Sequence, residues 1–247
     1  MSEAHVTLAA EKIFSIGPIP ITNTILTTWI VTLLLIAFAY LATRKISAVP
    51  STLQNIAESM VEALGDLVSS VAGDKTKVFL PIVASFFFFI LFGNYLGLLP
   101  GVGTIGFREI VDGKEVFVPL FRSINSDLNT TVALALVSLI ATHYLAIKYL
   151  GFGHYLTKFF SANPIFLFVG ILEIIGEATK ILSLSFRLFG NIFAGEVLLT
   201  TAAGKLFAFV VPVPFYFLEL LVGFVQALIF AMLTLVFMVI LTQKSTH

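Results

Sequence analysis

Five ionisable residues sit inside one long apolar stretch of this 247-residue sequence: Glu173, Glu177, Lys180, Arg187 and Glu196, with Asn191 among them. An ionisable group at mid-bilayer costs at least ~2.5–3.5 kcal/mol, so such groups normally face protein or a water-filled path. Carboxylates can take up and release protons. Arg187 cannot, because a guanidinium stays charged at any physiological pH. It can only attract anions and repel cations. Acids on both sides of it can therefore exchange protons while the fixed charge blocks direct conduction between them, which describes two half-channels with an electrostatic barrier in the middle.

The spacing sorts these residues by face. Glu173, Glu177, Lys180, Arg187 and Asn191 are separated by 4, 3, 7 and 4 positions and fall on one stripe of a helix. Glu196, nine residues beyond Arg187, turns to the opposite face. In the following apolar stretch Glu219 and Gln226 are seven apart and share a face, with Glu219 near the same membrane side as Glu196. A competing explanation is that the charges only clamp helices together, Glu173 or Glu177 pairing with Lys180 at helical spacing.

The elements that must hold these groups are membrane helices. Hydrophobic residues make up 58% of the chain and charged residues 11%, with mean hydropathy +1.04. A soluble domain carries about 25% charged residues. Apolar runs at 24–43, 78–100, 128–148, 164–203 and 214–242 predict five membrane-embedded helical segments in an all-α polytopic protein, a single membrane domain over 1–247. Glu3 and Glu11 before a full-length first span predict that it is retained rather than cleaved as a signal. At ~1.5 Å per residue, a 40-residue helix would be about twice as long as a ~30 Å hydrocarbon core is thick. The last two segments must therefore tilt strongly or break, with Pro212-Val213-Pro214 as the turn between them.

Residues 51–72 read differently. Leu53, Ile56, Met60, Val61, Leu64, Leu67, Val68 and Val71 recur at helical steps among Gln54, Glu58, Glu62 and Asp66, behind a Ser51/Gln54 capping box. This predicts an amphipathic helix at the membrane interface. Gly93 and Gly97 are spaced to admit a neighbouring helix, and residues 101–127 read as a polar loop. Arg44, Lys45, Lys75, Lys77, Lys148, Lys158 and Lys244 would share one side, and Lys12, Arg108, Lys114, Arg122 and Lys205 the other. The bias places the N-terminus outside and the C-terminus in the cytoplasm.

Other chemistry is excluded by what is missing. There are no cysteines, the four histidines are scattered, and no phosphate-binding G-x-x-x-x-G-K-[ST] stretch exists. No cofactor or metal is expected, and the chain should not hydrolyse a nucleotide by itself. Lys plus Arg and Asp plus Glu both total 14, without the basic face a nucleic-acid binder shows. His143, in the third span, could join an aqueous path but reads first as a packed neutral histidine, and Phe86 to Phe89 read as helix- or lipid-facing bulk.

The segment Ser183-Leu184-Ser185-Phe186-Arg187-Leu188-Phe189-Gly190-Asn191, continuing through Ile192-Phe193-Ala194-Gly195-Glu196, closely resembles subunit a of F-type ATP synthases. So do Ser126-Asp127-Leu128-Asn129-Thr130-Thr131 and Gln226-Ala227-Leu228-Ile229-Phe230. The resemblance covers nearly the whole chain. It implies a stator subunit, not catalytic alone, beside a rotating ring of proteolipid c subunits, with b-type peripheral-stalk subunits and the remaining ATP synthase subunits as partners. The setting would be an energy-coupling membrane, the bacterial inner membrane above all. On this resemblance Arg187 would face the ring, Gln226 would lie near it, and Glu196, Glu219, Asp127 and Asn191 would belong to the outer half-channel. Glu173 would belong to the inner one, with Glu177 on the same path. A secondary ion transporter is the alternative, but it would show paired repeats or two matching broken helices. None is found.

Overall fold

The computed structural model describes residues 10–47, 49–99, 101–111, 114–159, 164–205 and 212–243. Glu3, Pro100 and Lys244, used above for the first span, the second span and the charge bias, lie outside the described residues. Among the described residues seven α-helices run α1 Asn23–Thr43, α2 Thr52–Ala72, α3 Thr76–Gly97, α4 Leu128–Leu150, α5 Phe152–Phe159, α6 Pro164–Lys205 and α7 Pro212–Leu241. Among the described residues five helical stretches are long and apolar enough to cross a membrane, one of them formed by α2 and α3 in series. The chain is an all-α polytopic membrane protein.

Two departures from the expected layout sit at one end of the bundle. Antiparallel hairpins form there, β1 Lys12–Ile16 with β2 Ile19–Thr22, and β3 Gly106–Val111 with β4 Lys114–Pro119. The second occupies what had read as a polar loop. Strands this short leave too little periodicity to be seen against a polar background. The Asn23 side chain donates to Pro119 O at 3.3 Å, tying α1 to β4. The second departure is at Pro212-Val213-Pro214, which opens α7 instead of making a turn before it. Proline fits the first helical turn because the missing N–H has no intrahelical acceptor there.

The core lies among α3, α4, α6 and α7. Phe86 and Phe87 are buried against α7, their rings 5.5 Å from Phe230 and 5.8 Å from Phe224. Phe88 and Phe89, together with Phe86, line a groove with α1 and α2. Gly93 and Gly97 do admit a close neighbour, a short 3-10 turn and the residue before it rather than a membrane helix. A β-carbon at either position would overlap Ile124 or Ser123, in the turn that leads into α4.

Ser51 caps α2, its hydroxyl accepting from Gln54 N. One edge of its apolar stripe, Leu64 and Val68, is buried, while Leu53, Ile56, Leu67 and Val71 on the other edge stay exposed. An uncovered apolar edge opposite Glu58, Glu62 and Asp66 is what an interfacial helix requires. α6 does not break. Its 42 residues form one helix, ~63 Å long at 1.5 Å per residue.

Candidate functional site

Alternation of the helices brings the start of α1, the end of α3, the start of α4, the end of α6 and the start of α7 to the hairpin end of the bundle. A buried polar layer assembles there. Asp127 caps α4: its Oδ1 accepts from Asn129 N at 3.1 Å and from the Asn129 side chain, and its Oδ2 accepts from Thr24 Oγ1 at 3.2 Å and Thr130 Oγ1 at 3.5 Å. Asn125 donates to Asn94 Oδ1 at 2.7 Å, and Asn94 donates to Gly223 O on α7 at 3.0 Å.

Glu196 reaches this layer from α6. Its carboxylate receives the Arg122 Nε–H, with contacts of 3.1 and 3.2 Å to its two oxygens. The Arg122 side chain is 4% exposed and that of Glu196 28%. Arg122 also lies over the Phe193 ring, 6.0 Å from its centroid. In the sequence Arg122 was only one of several loop charges. No spacing rule links it to a glutamate 74 positions away, so only the folded chain reveals the pair.

Glu219 on α7 is buried. Its carboxylate lies directly against the backbone of Gly195, where a β-carbon would overlap it. Glycine at 195 is therefore the condition for Glu219 to sit there. Since Gly195 precedes Glu196, the two acids occupy neighbouring positions, close enough for their charges to interact. Glu196, Glu219 and Asp127 thus share one end of the bundle.

Arg187 occupies the middle of α6 and is exposed, on the face away from the core. Its Nη2 lies 3.4 Å from Ser183 Oγ, and its main-chain oxygen accepts from Gln226 Nε2 at 2.8 Å. Gln226 is buried and so pins α7 to α6 at the arginine's level. Along the same outer face run Gly176, Thr179, Ser183, Gly190, Asn191 and Ala194. Nothing lies within 4 Å of a β-carbon built at Gly176 or Gly190. Leu182 and Phe186 flank the arginine at 55% and 54% exposure.

The expected polar stripe divides. Arg187 and Asn191 face outward, but Glu177 turns into the bundle and is buried. It accepts from Lys180 Nζ at 2.7 Å, so the helix-clamping contact considered for this pair exists. Its second oxygen lies 3.6 Å from His143 Nε2 on α4. Glu173, one turn nearer the start of α6, is half-buried. These residues lie toward the end of the bundle opposite the hairpins, with Arg187 between the two acid groups.

The sequence matches the family described as ATP synthase A chain over residues 25–239. It is 36% identical over 226 residues to "ATP synthase subunit a" of Moorella thermoacetica, covering 92% of this chain and 93% of that one. It is 37% identical over 233 residues to "ATP synthase subunit a" of Gloeobacter violaceus, covering 94% and 88%. With a match spanning all five apolar helical stretches and relatives aligned nearly end to end, the chain belongs to the ATP synthase A chain family.

Proposed function

We propose that this chain is the proton-translocating stator subunit of an F-type ATP synthase, in which Arg187 separates two half-channels and faces a rotating ring of proteolipid c subunits. One observation carries the reading: a permanent cation stands mid-helix on an outward face of small and apolar residues. Lipid cannot be its neighbour, given the cost of a charge at the bilayer centre. A protein surface bearing a carboxylate can, and the open space at Gly176 and Gly190 lets a partner helix approach closely.

The chemistry follows from the fixed charge. A ring carboxylate arriving at Arg187 is favoured in its ionised form by the cation, so it releases its proton on one side and recovers one from the other. Glu196 and Glu219 are the titrating groups of the outer path. Asn191 lines its approach to the ring. Asp127, whose oxygens meet four donors, lines that path as a fixed acceptor. Glu173 and Glu177 serve the inner path. Gln226 sets the height of Arg187 by holding its carbonyl. A proton crossing the membrane releases ~2.3 kcal/mol per 100 mV, and rotation carries that energy to the subunits that make ATP. This chain performs no nucleotide chemistry. Its other partners are b-type peripheral-stalk subunits, its membrane is the bacterial inner membrane, and the hairpin end with the N-terminus faces outward while the C-terminus is cytoplasmic. Tilted strongly, α6 stays along the ring instead of projecting into water.

Arg187→Ala tests this in inverted membrane vesicles. The complex should assemble, and ATP-driven proton pumping should fall to background. Normal pumping by an assembled variant removes Arg187 from the mechanism.

A further inference from the structure

His143 has no task in the mechanism above, yet it sits between two groups that can pass a proton. On one side its Nδ1 is 2.8 Å from the Tyr155 hydroxyl of α5. On the other its Nε2 is 3.6 Å from Glu177 Oε2, an oxygen that is buried and has no hydrogen-bond partner among the described residues. Buried carboxylate oxygens are normally satisfied. Here the shortfall points at an imidazole a few tenths of an ångström beyond hydrogen-bond reach.

The opposite side of Glu177 is also shaped. A cavity of about 10 Å³ lies between α4, α6 and α7, bordered by Ser138, Thr142, Glu177, Lys180, Leu184 and Phe237. That is about the smallest space that admits one water, which needs 2–4 polar partners. Ser138, Thr142, Glu177 and Lys180 supply them. Leu184, one turn before Arg187, closes the cavity at its far side from Glu177. His143 and Tyr155 continue the line the other way, to half-buried Tyr155 on the short helix outside the membrane-spanning segments.

We propose that His143 and Tyr155 are relay residues that carry protons between Glu177 and the membrane surface at α5, the terminal steps of the inner half-channel. This rests on the proposed role of the chain as a proton-translocating subunit. In the exit direction, protonated Glu177 gives its proton to His143 Nε2, while the Nδ1 proton passes to the Tyr155 oxygen and the phenol proton leaves to water. Glu177 ends as carboxylate, His143 as the other neutral tautomer and Tyr155 unchanged, with one proton delivered. Loss of the Nε2 proton to water and uptake of one from water at Nδ1 restore the starting tautomer for the next transfer.

The surrounding groups suit this. Lys180 occupies the other oxygen of Glu177 and lies over the Phe237 ring of α7, so Oε2 alone is left for exchange. Tyr155 is held in its neutral, proton-donating form: burial raises its pKa above the ordinary 10.0, and the charges of Glu177 and then Glu173 push the same way. Among the described residues, Tyr155 from α5 and Glu173, Glu177 and Lys180 from α6 bring charge or a titrating proton toward this site, while α7 contributes Phe237.

The test uses the assembled complex in vesicles, with complex content measured on native gels. In His143→Ala, proton flux through the membrane sector should fall at least about tenfold, within the range for loss of a positioned proton carrier. Imidazole added on the α5 side should restore it. His143→Gln keeps hydrogen-bonding capacity but cannot shuttle a proton, so it should show the same loss with the fold intact. Wild-type flux should vary across pH 6–8, where an imidazole titrates, and that variation should vanish in both variants. Tyr155→Phe should reduce flux by a smaller factor. Unchanged flux and pH profile in assembled His143→Gln would overturn the relay, as would a loss in His143→Ala that imidazole does not repair. Failure of the underlying reading would show separately, as normal pumping by Arg187→Ala.

Discussion

Replacing Gly195 by alanine adds a single methyl group, and the structure places that group on the carboxylate of Glu219. To regain an ordinary contact of ~3.5 Å, the carboxylate must retreat by roughly 1.5 Å. It is the far end of a flexible side chain, so it can swing away without moving either backbone. The stability cost should therefore be less than the ~1–3 kcal/mol of a forced fit in a rigid core, and the complex should assemble normally. Function should be affected more. A reacting group misplaced by about 1 Å can cost on the order of 10²-fold in rate, so proton flux should fall by one to two orders of magnitude. Glu219→Asp shortens the side chain by one methylene and withdraws the carboxylate from position 195. Glu219→Asp alone should reduce flux, and adding it to Gly195→Ala should cost far less than the product of the two single losses, a coupling between touching sites. The assay is passive and ATP-driven proton flux in vesicles, normalised to assembled complex. Full flux in Gly195→Ala would refute the claim that the position of Glu219 matters. Strict multiplicativity of the two losses would refute the contact.

Asp127→Ala should lose the α4 cap, at about 1 kcal/mol, and lower the melting temperature of the purified complex. Asp127→Asn keeps an acceptor and should melt near wild type with flux within about twofold, whereas a large flux loss at normal stability would give Asp127 a titrating role. Arg122→Ala should destabilise by about 2 kcal/mol, the scale of a hydrogen bond to a charged group, and Arg122→Lys should recover part of it; an unaffected melting temperature in Arg122→Ala would mean that the contact with Glu196 adds nothing. The absence of native cysteine makes thiol mapping direct. Cysteine at 196 should react with aqueous reagents from the hairpin side, and more slowly at buried position 219; labelling from the opposite side alone would reverse the assignment of outer and inner paths.

Much of this protein is written in local pattern. Apolar length marks the membrane helices because a ~30 Å hydrocarbon layer admits only stretches of ~20 residues whose backbone bonds are met internally. The period of α2 marks an amphipathic helix for the same kind of reason, since one face meets apolar surroundings and the other water. Arg187 stands out because a permanent charge in apolar sequence is costly; helical spacing grouped it with Glu177, and packing then turned Glu177 inward and left Arg187 outward.

The tertiary structure decided which polar groups meet. Arg122 reaches Glu196 across 74 positions, Glu219 lies on Gly195, and His143 bridges Tyr155 and Glu177. Sequence also assigned Gly93 and Gly97 to a helix contact, where the fold puts Ser123 and Ile124 instead, and gave no sign of the hairpin at 106–119. The physical reason is common to all of these. Periodicity reports the direction in which a side chain leaves its own element, because the helix repeat sets that direction. The group it finds depends on how far neighbouring elements slide and rotate in packing, which is settled by the summed fit of many side chains and by no single spacing.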